Sequence, residues 1–262
     1  MRSIVRAVGT EAVRAGGRRS PWWFVAVPLG IGVPLLMTYV VAAVFEKLAT
    51  MNTGEIGVTP VEPNNSITRV IDVGVLIFAV GAAHAHGSTV RGPAAETERF
   101  LFRSPSTMIL ARSLYYGAIA AAAVLGMTVL LLTTLPHLFP VVYGKVGLLT
   151  GAGLRFCWAV PVFAFCAAAL GIGLAAATRS SVAAIALMLL WAGFLENAIA
   201  LVPGGMKVQQ FMPFLNGIYG TGQWLALTPP WGRNGALTYF ALCAALILAV
   251  GIAATIVRRR RN

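Results

Sequence analysis

Across 262 residues the chain is 58% hydrophobic and 11% charged, with 20 Lys/Arg against 8 Asp/Glu and a net charge of +12. So apolar a composition excludes an ordinary water-soluble globular domain, which needs far more polar surface at this length. The apolar runs are too continuous for the alternation of a membrane barrel, so the sequence predicts an all-α membrane protein forming a single transmembrane domain over residues 1–262.

Residues 3–17 predict an amphipathic helix. At about 100° per residue, Ile4, Val5, Val8, Ala12 and Ala15 share one face, Arg2, Arg6 and Arg14 lie elsewhere, and Gly16-Gly17 ends the pattern. A basic amphipathic helix ahead of a span lies in the headgroup layer, against membrane lipids. An unstructured basic leader is the other reading. Six spans follow, each matched to a bilayer core roughly 30 Å thick: Trp22–Val44, Val70–His86, Ala111–Leu135, Phe156–Thr178, Val182–Val202 and Ala236–Val257. The first carries Pro28 and Pro34, is long, and lacks a small-residue cleavage site. It reads as a retained anchor rather than a signal peptide.

Between the first two spans, Pro60, Pro63, Asn64 and Asn65 predict an irregular external loop, with a sequon at Asn64-Asn65-Ser66. Asp72 stands three residues after Arg69, a spacing that permits a local ion pair. Between the second and third spans lies a charged island, Arg91–Arg112, reading RGPAAETERFLFRSPSTMILAR. Pro93 suits a first helical turn and Ser104-Pro105 ends it, so a short helix is expected over 93–104. Glu96, Arg99 and Arg103 fall on one side of that helix and Phe100 and Leu101 face away. Glu98 and Phe102 make a second exposed stripe. Such a helix suits docking into a groove on a cytoplasmic partner; the bland reading is a solvated connector, which has no need of three large hydrophobic residues.

Only Arg179-Ser180-Ser181 joins the fourth and fifth spans, which demands a tight antiparallel hairpin. Small residues from Ala167 to Ala177 allow close helix approach, within one chain or across a dimer seam. Residues 203–235 are too apolar for a solvated loop and too broken by Gly and Pro for a span, so re-entrant or interfacial helices are expected on the external side. With six spans both termini share a side with the island and Arg179. That side holds fourteen of the twenty Lys/Arg and is cytoplasmic by the positive-inside rule. The excess charge thus sets orientation in a cell membrane and meets anionic lipid; nucleic acid is not an expected partner.

Chemistry on this chain alone finds little support. Gly144-Lys145 is followed by Val146, which breaks the phosphate-loop pattern, and no G-x-S-x-G elbow occurs. His84 and His86 lie about 200° apart on a helix, a poor geometry for one metal. Cys157, Cys166 and Cys243 read as small buried hydrophobes. No catalytic or metal site is expected. An ionisable group inside a span is functional by default, and Glu196 beside Asn197 either lines a path or holds an interface.

The run Glu98–Ser106 (ERFLFRSPS), followed by Ala111-Arg112, together with six spans, a basic amphipathic N-terminus and terminal Arg258–Arg261, resembles the ABC transporter permeases of the type-2 exporter family. The Gly-Thr pair common in that family after the acidic residue is absent. The resemblance implies a half-transporter that pairs with a second permease, alike or different, and with two copies of a separate ATP-binding-cassette subunit carrying ATP and Mg. It makes 93–104 a coupling helix, with Glu96, Glu98, Arg99, Phe102 and Arg103 in contact with the ATPase. It turns the second and fifth spans toward a substrate path, which nominates Phe78, Met188, Trp191, Phe194, Glu196 and Asn197. The implied cargo is a hydrophobic or amphipathic drug, lipid or peptide. An integral membrane enzyme using Glu196 or His84/His86 and a non-transporting anchoring subunit are the alternatives.

Overall fold

The computed structural model describes residues 2–16, 20–51, 59–90, 102 and 104–261, with backbone only at 2, 3 and 261. All regular structure among them is helical. Six helices are long and apolar enough to cross a membrane: α2 Trp22–Met51, α3 Pro63–Gly87, α4 Pro105–Leu138, α6 Gly151–Thr178, α7 Ser181–Leu201 and α10 Gly232–Arg260. This is a multi-pass membrane fold. Four shorter helices complete it: α1 Arg2–Ala15, α5 Pro140–Tyr143, α8 Gly205–Gln209 and α9 Pro213–Thr221. The expected helix at 93–104 falls almost wholly outside the described residues.

The spans correspond to the six apolar runs, lengthened at their ends by sequence signals. Pro105 occupies the first turn of α4, where its missing N–H is no loss, so the helix begins six residues before the apolar run does. Thr150 caps α6 by accepting from Gly153 N at 3.0 Å. After Thr178 the chain turns through Arg179 in a left-handed conformation (φ 55°), and Ser180 Oγ accepts from Ala183 N at 3.3 Å to start α7. The hairpin expected from three residues is therefore present, built from a left-handed turn and a hydroxyl cap.

Helix α6 is the hub. Seventy-two per cent of its most apolar stretch is buried against 17% for α7 and for α10. It packs on α3, α4, α7, α9 and α10. Its small residues face neighbours in the same chain. Gly171 lies against the Ala79 carbonyl of α3, Gly173 against the Ile247–Leu248 backbone of α10, and Gly117 of α4 receives the Phe165 ring. A methyl group on Gly173 would come within 2.7 Å of Leu248 Cα, a backbone atom that cannot yield without moving α10. Gly173→Ala is therefore expected to destabilise the bundle by about 1–3 kcal/mol, the usual range for overpacking, read as a fall in the thermal midpoint of purified protein. An unchanged midpoint would mean that α6 and α10 are not in this close contact.

Two acidic side chains organise the end of the bundle opposite α1. Glu46, near the end of α2, accepts from Val141 N at 3.0 Å and Val142 N at 2.9 Å, capping the N-terminus of α5. Glu196 does the same for α9, as described below. Arg69 and Asp72 form no ion pair, contrary to the expected one, and Asp72 Oδ1 is buried without a hydrogen-bond partner. Asp72 sits in a π-helical turn, Val70–Gly74. At the α1 end, Arg258 donates to the carbonyls of Ala176 (3.4 Å) and Ala177 (2.7 Å), satisfying the last turn of α6.

Candidate functional site

Helix α1 buries a narrow stripe: Ala7, Glu11 and Ala15, one turn apart. Val5 and Val13 point outward, so the inward face is rotated from the one that hydrophobicity alone selects, and a carboxylate lies at its centre. Glu11 is fully buried, as is Arg112 in the second turn of α4. Arg112 Nε donates to Glu11 Oε2 at 3.3 Å, Arg14 Nε donates to the same oxygen at 3.0 Å, and Arg14 Nη2 also pairs with Glu11 Oε1. Tyr116 OH donates to Glu11 Oε1 at 3.0 Å. Burial works to raise the Glu11 pKa, but the Arg14 hydrogen bond, the charges of Arg112 and Arg14 and the Tyr116 hydroxyl outweigh it and hold the group below the ordinary 4.5.

The same guanidinium reaches the end of α3. Arg112 Nη1 lies 3.0 Å from His86 Nδ1 and donates to Thr89 Oγ1 at 2.9 Å. Arginine only donates, so His86 Nδ1 accepts and the imidazole carries its proton on Nε2. His86 is thus buried in this network, whereas His84 is exposed and turned toward a neighbouring cavity. The two histidines serve different surroundings, as their angular separation on the helix dictates. Sequence reasoning missed Glu11 altogether. The available signal was a lone acid in the middle of a basic amphipathic helix, a position where a lipid-facing stripe has no use for one.

Residues 89 and 112 bracket the charged island, and the hydrogen bond between them closes it at its base. Phe102 is 5% exposed, joining the core rather than standing on an exposed stripe beside Glu98. Glu96, Glu98, Arg99 and Arg103 lie outside the described residues.

Beside the cluster lies a cavity of about 900 Å³. Its walls come from the start of α2 (Trp22, Val25, Leu29), the last three turns of α3 and Ile185 of α7, with Arg14 and Tyr116 at one end. Trp22 packs edge-on against Tyr116, with ring centroids 4.6 Å apart, which ties the cavity wall to the ion cluster.

Of the six nominated path residues Trp191 and Glu196 are hydrogen-bonded to each other, and none of the six lines this cavity. Phe78 is fully buried, its ring pressed against Gly30 of α2, and Met188 packs against Gly171. Trp191, Phe194 and Asn197 are exposed on α7. Glu196 is fully buried. Its carboxylate accepts from Phe214 N (3.0 Å), Leu215 N (2.8 Å) and Trp191 Nε1 (2.8 Å), while Gln209 Nε2 donates to its backbone carbonyl at 3.1 Å. The acid therefore acts as the N-terminal cap of α9, holding residues 205–221 to α7. No protein-family model matches the chain, and no curated protein or solved structure matches it.

Proposed function

We propose that the chain is the membrane-spanning permease subunit of an ATP-driven exporter for a hydrophobic or amphipathic substrate, energised by a separate ATP-binding-cassette subunit and oriented with both termini in the cytoplasm. The observation that carries the reading is the closed base of the island. Arg112, the last residue of the island and already part of α4, ties α4 to His86 and Thr89 before the island, and Glu11 ties both to α1. A loop clamped in this way passes a force into three helices at once, which is what a coupling element needs. A solvated connector needs no such clamp. In this reading 93–104 is the coupling helix, with Glu96, Glu98, Arg99 and Arg103 meeting the ATPase and Phe102 seating the helix on the bundle. Helices α8 and α9, held by Glu196, form the external lid, and a second permease completes the path.

Gentle solubilisation of the tagged chain from its native membrane is expected to bring down a nucleotide-hydrolysing subunit with it. Glu98→Lys combined with Arg99→Glu, which reverses the charge at both positions of the coupling helix, is expected to lower ATPase stimulation by about tenfold or more, as reversed charges at an interface do, without altering the thermal midpoint of the chain alone. Purification without any nucleotide-hydrolysing subunit would overturn the exporter reading. Full coupling in the charge-reversed variant would remove the island from the interface.

A further inference from the structure

The cavity beside the ion cluster is polar at one end and apolar at the other, and the order follows depth along the helices. Along the start of α2 the wall runs from Ser20, just ahead of the helix, and Trp22 at the α1 end to Val25 and Leu29 further in. Back along α3 it runs from Thr89 and Ser88, just past the helix end, through His84 to Val80 and Ile77. At a helical rise of roughly 1.5 Å per residue, the stretch from Ser88 to Ile77 is about 16 Å long. Ile185 faces the inner, apolar half. The rim is polar: it carries the hydroxyls of Ser20, Ser88 and Thr89, the last two donating to the carbonyls of Ala85 and His86, the His84 imidazole and the Arg14 guanidinium. Among the described lining residues Arg14 is the one that is always charged and none is acidic, with the Glu11 carboxylate paired to Arg14 behind the rim.

The Glu11 carboxylate offsets one of the Arg14 and Arg112 guanidinium charges, so the cluster behind the rim keeps one net positive charge. Polar rim, apolar depth and net positive charge fit one shape of ligand.

We infer that this cavity binds a single-chain anionic amphiphile, with its carboxylate, sulfate or phosphate head at the Arg14–His84–Ser88 rim and its alkyl tail between Leu29, Ile77, Val80 and Ile185. The ligand enters at the membrane face from which α1 covers the bundle. Binding of this kind is a property of the chain alone and needs no ATPase subunit, so its success or failure is separate from that of the exporter reading.

The test is equilibrium binding of radiolabelled dodecanoate to the purified chain in nanodiscs of zwitterionic lipid, with dodecyl phosphate, dodecyltrimethylammonium and free inorganic phosphate as competitors. Saturable binding is expected, displaced by dodecyl phosphate and about tenfold or more weakly by the cationic amphiphile. Inorganic phosphate alone is expected not to displace it, because the tail supplies most of the binding through burial. Ile185→Trp, which fills the apolar half, is expected to weaken binding by about tenfold or more. The thermal midpoint of this variant establishes that it folds. Non-saturable partitioning, equal competition by the cationic amphiphile, or undiminished affinity in a folded Ile185→Trp would overturn the site. Should Ile185→Trp not fold, the headgroup comparison decides.

Discussion

Glu11→Ala is expected to destabilise the chain by about 3–5 kcal/mol, the range found when one partner of a buried ion pair is removed. The variant leaves Arg112 buried without the carboxylate that lies 3.3 Å from its Nε, and leaves the Tyr116 hydroxyl without its acceptor. Glu11→Leu combined with Arg112→Met is expected to be less damaging than either single change, since a packed apolar pair replaces a charge left alone. The measurements are thermal unfolding in detergent and hydrogen exchange over α1, whose amides should lose protection first. Equal damage in the double and single variants would show that Glu11 and Arg112 are not coupled.

The same carboxylate gives the α1 attachment a pH dependence of definite sign. Its folded-state pKa is held below the ordinary 4.5, so the unfolded chain takes up the proton more readily than the folded one. The Glu11 contribution is therefore complete above 4.5 and disappears as pH falls through the lowered value. In a pH titration of the thermal midpoint, the gap between wild type and Glu11→Gln should be constant from neutrality down to 4.5 and narrow below it. A gap that narrows only at alkaline pH would contradict the ion-pair assignment.

Glu196→Ala is the second large effect. It strips an acceptor from two buried backbone N–H groups and from the more exposed Trp191 indole at once, and at about 1–3 kcal/mol for each backbone donor left buried, a loss of roughly 2 kcal/mol or more follows. The loss should be local. Hydrogen exchange over residues 205–221 is expected to accelerate while α3 and α4 stay protected. Glu196→Gln retains one acceptor oxygen but turns an amide N–H₂ toward the donors, so it should fall between wild type and alanine. Uniform loss of protection across the bundle would mean that Glu196 does more than hold this segment. Normal substrate movement by a folded Glu196→Gln complex would separate the residue from any translocation path.

The spans were legible because hydrocarbon imposes one rule: long apolar runs close their own hydrogen bonds as helices. Pro105 and Arg179-Ser180-Ser181 were likewise readable, since proline and a short polar link constrain backbone directly. What resisted was the destination of polar side chains. Helical periodicity placed the α1 face on Ile4, Val5 and Val8, whereas the inward face follows Glu11, whose partner lies 101 residues away. Periodicity sees neighbours three or four residues apart and is blind to that distance. Glu196 was singled out as a buried acid, yet only the folded chain puts the first turn of α9 beside it. Phe78 and Met188 were assigned to a path by analogy with span order, but Gly30 and Gly171 on facing helices are the size of the gaps those side chains fill. The cavity was invisible for a related reason: it needs Trp22, His84 and Ile185 together, from three separate spans.

The distance between Glu11 and Arg112 also sets a timetable for assembly. Synthesis proceeds at about 5–20 residues per second, so roughly 5–20 s pass between the ribosome adding Glu11 and adding its partner 101 residues later. Glu46 waits nearly as long for Val141, 95 residues on, while Glu196 meets Leu215 after only 19. During that interval α1 has only Arg14 to offset its acid and the lipid headgroups to rest on. Helix α1 is therefore made well before the residues that fasten it, which lie in the first turns of the third span. Any factor that delays the third span prolongs a state in which the chain is inserted but not yet closed.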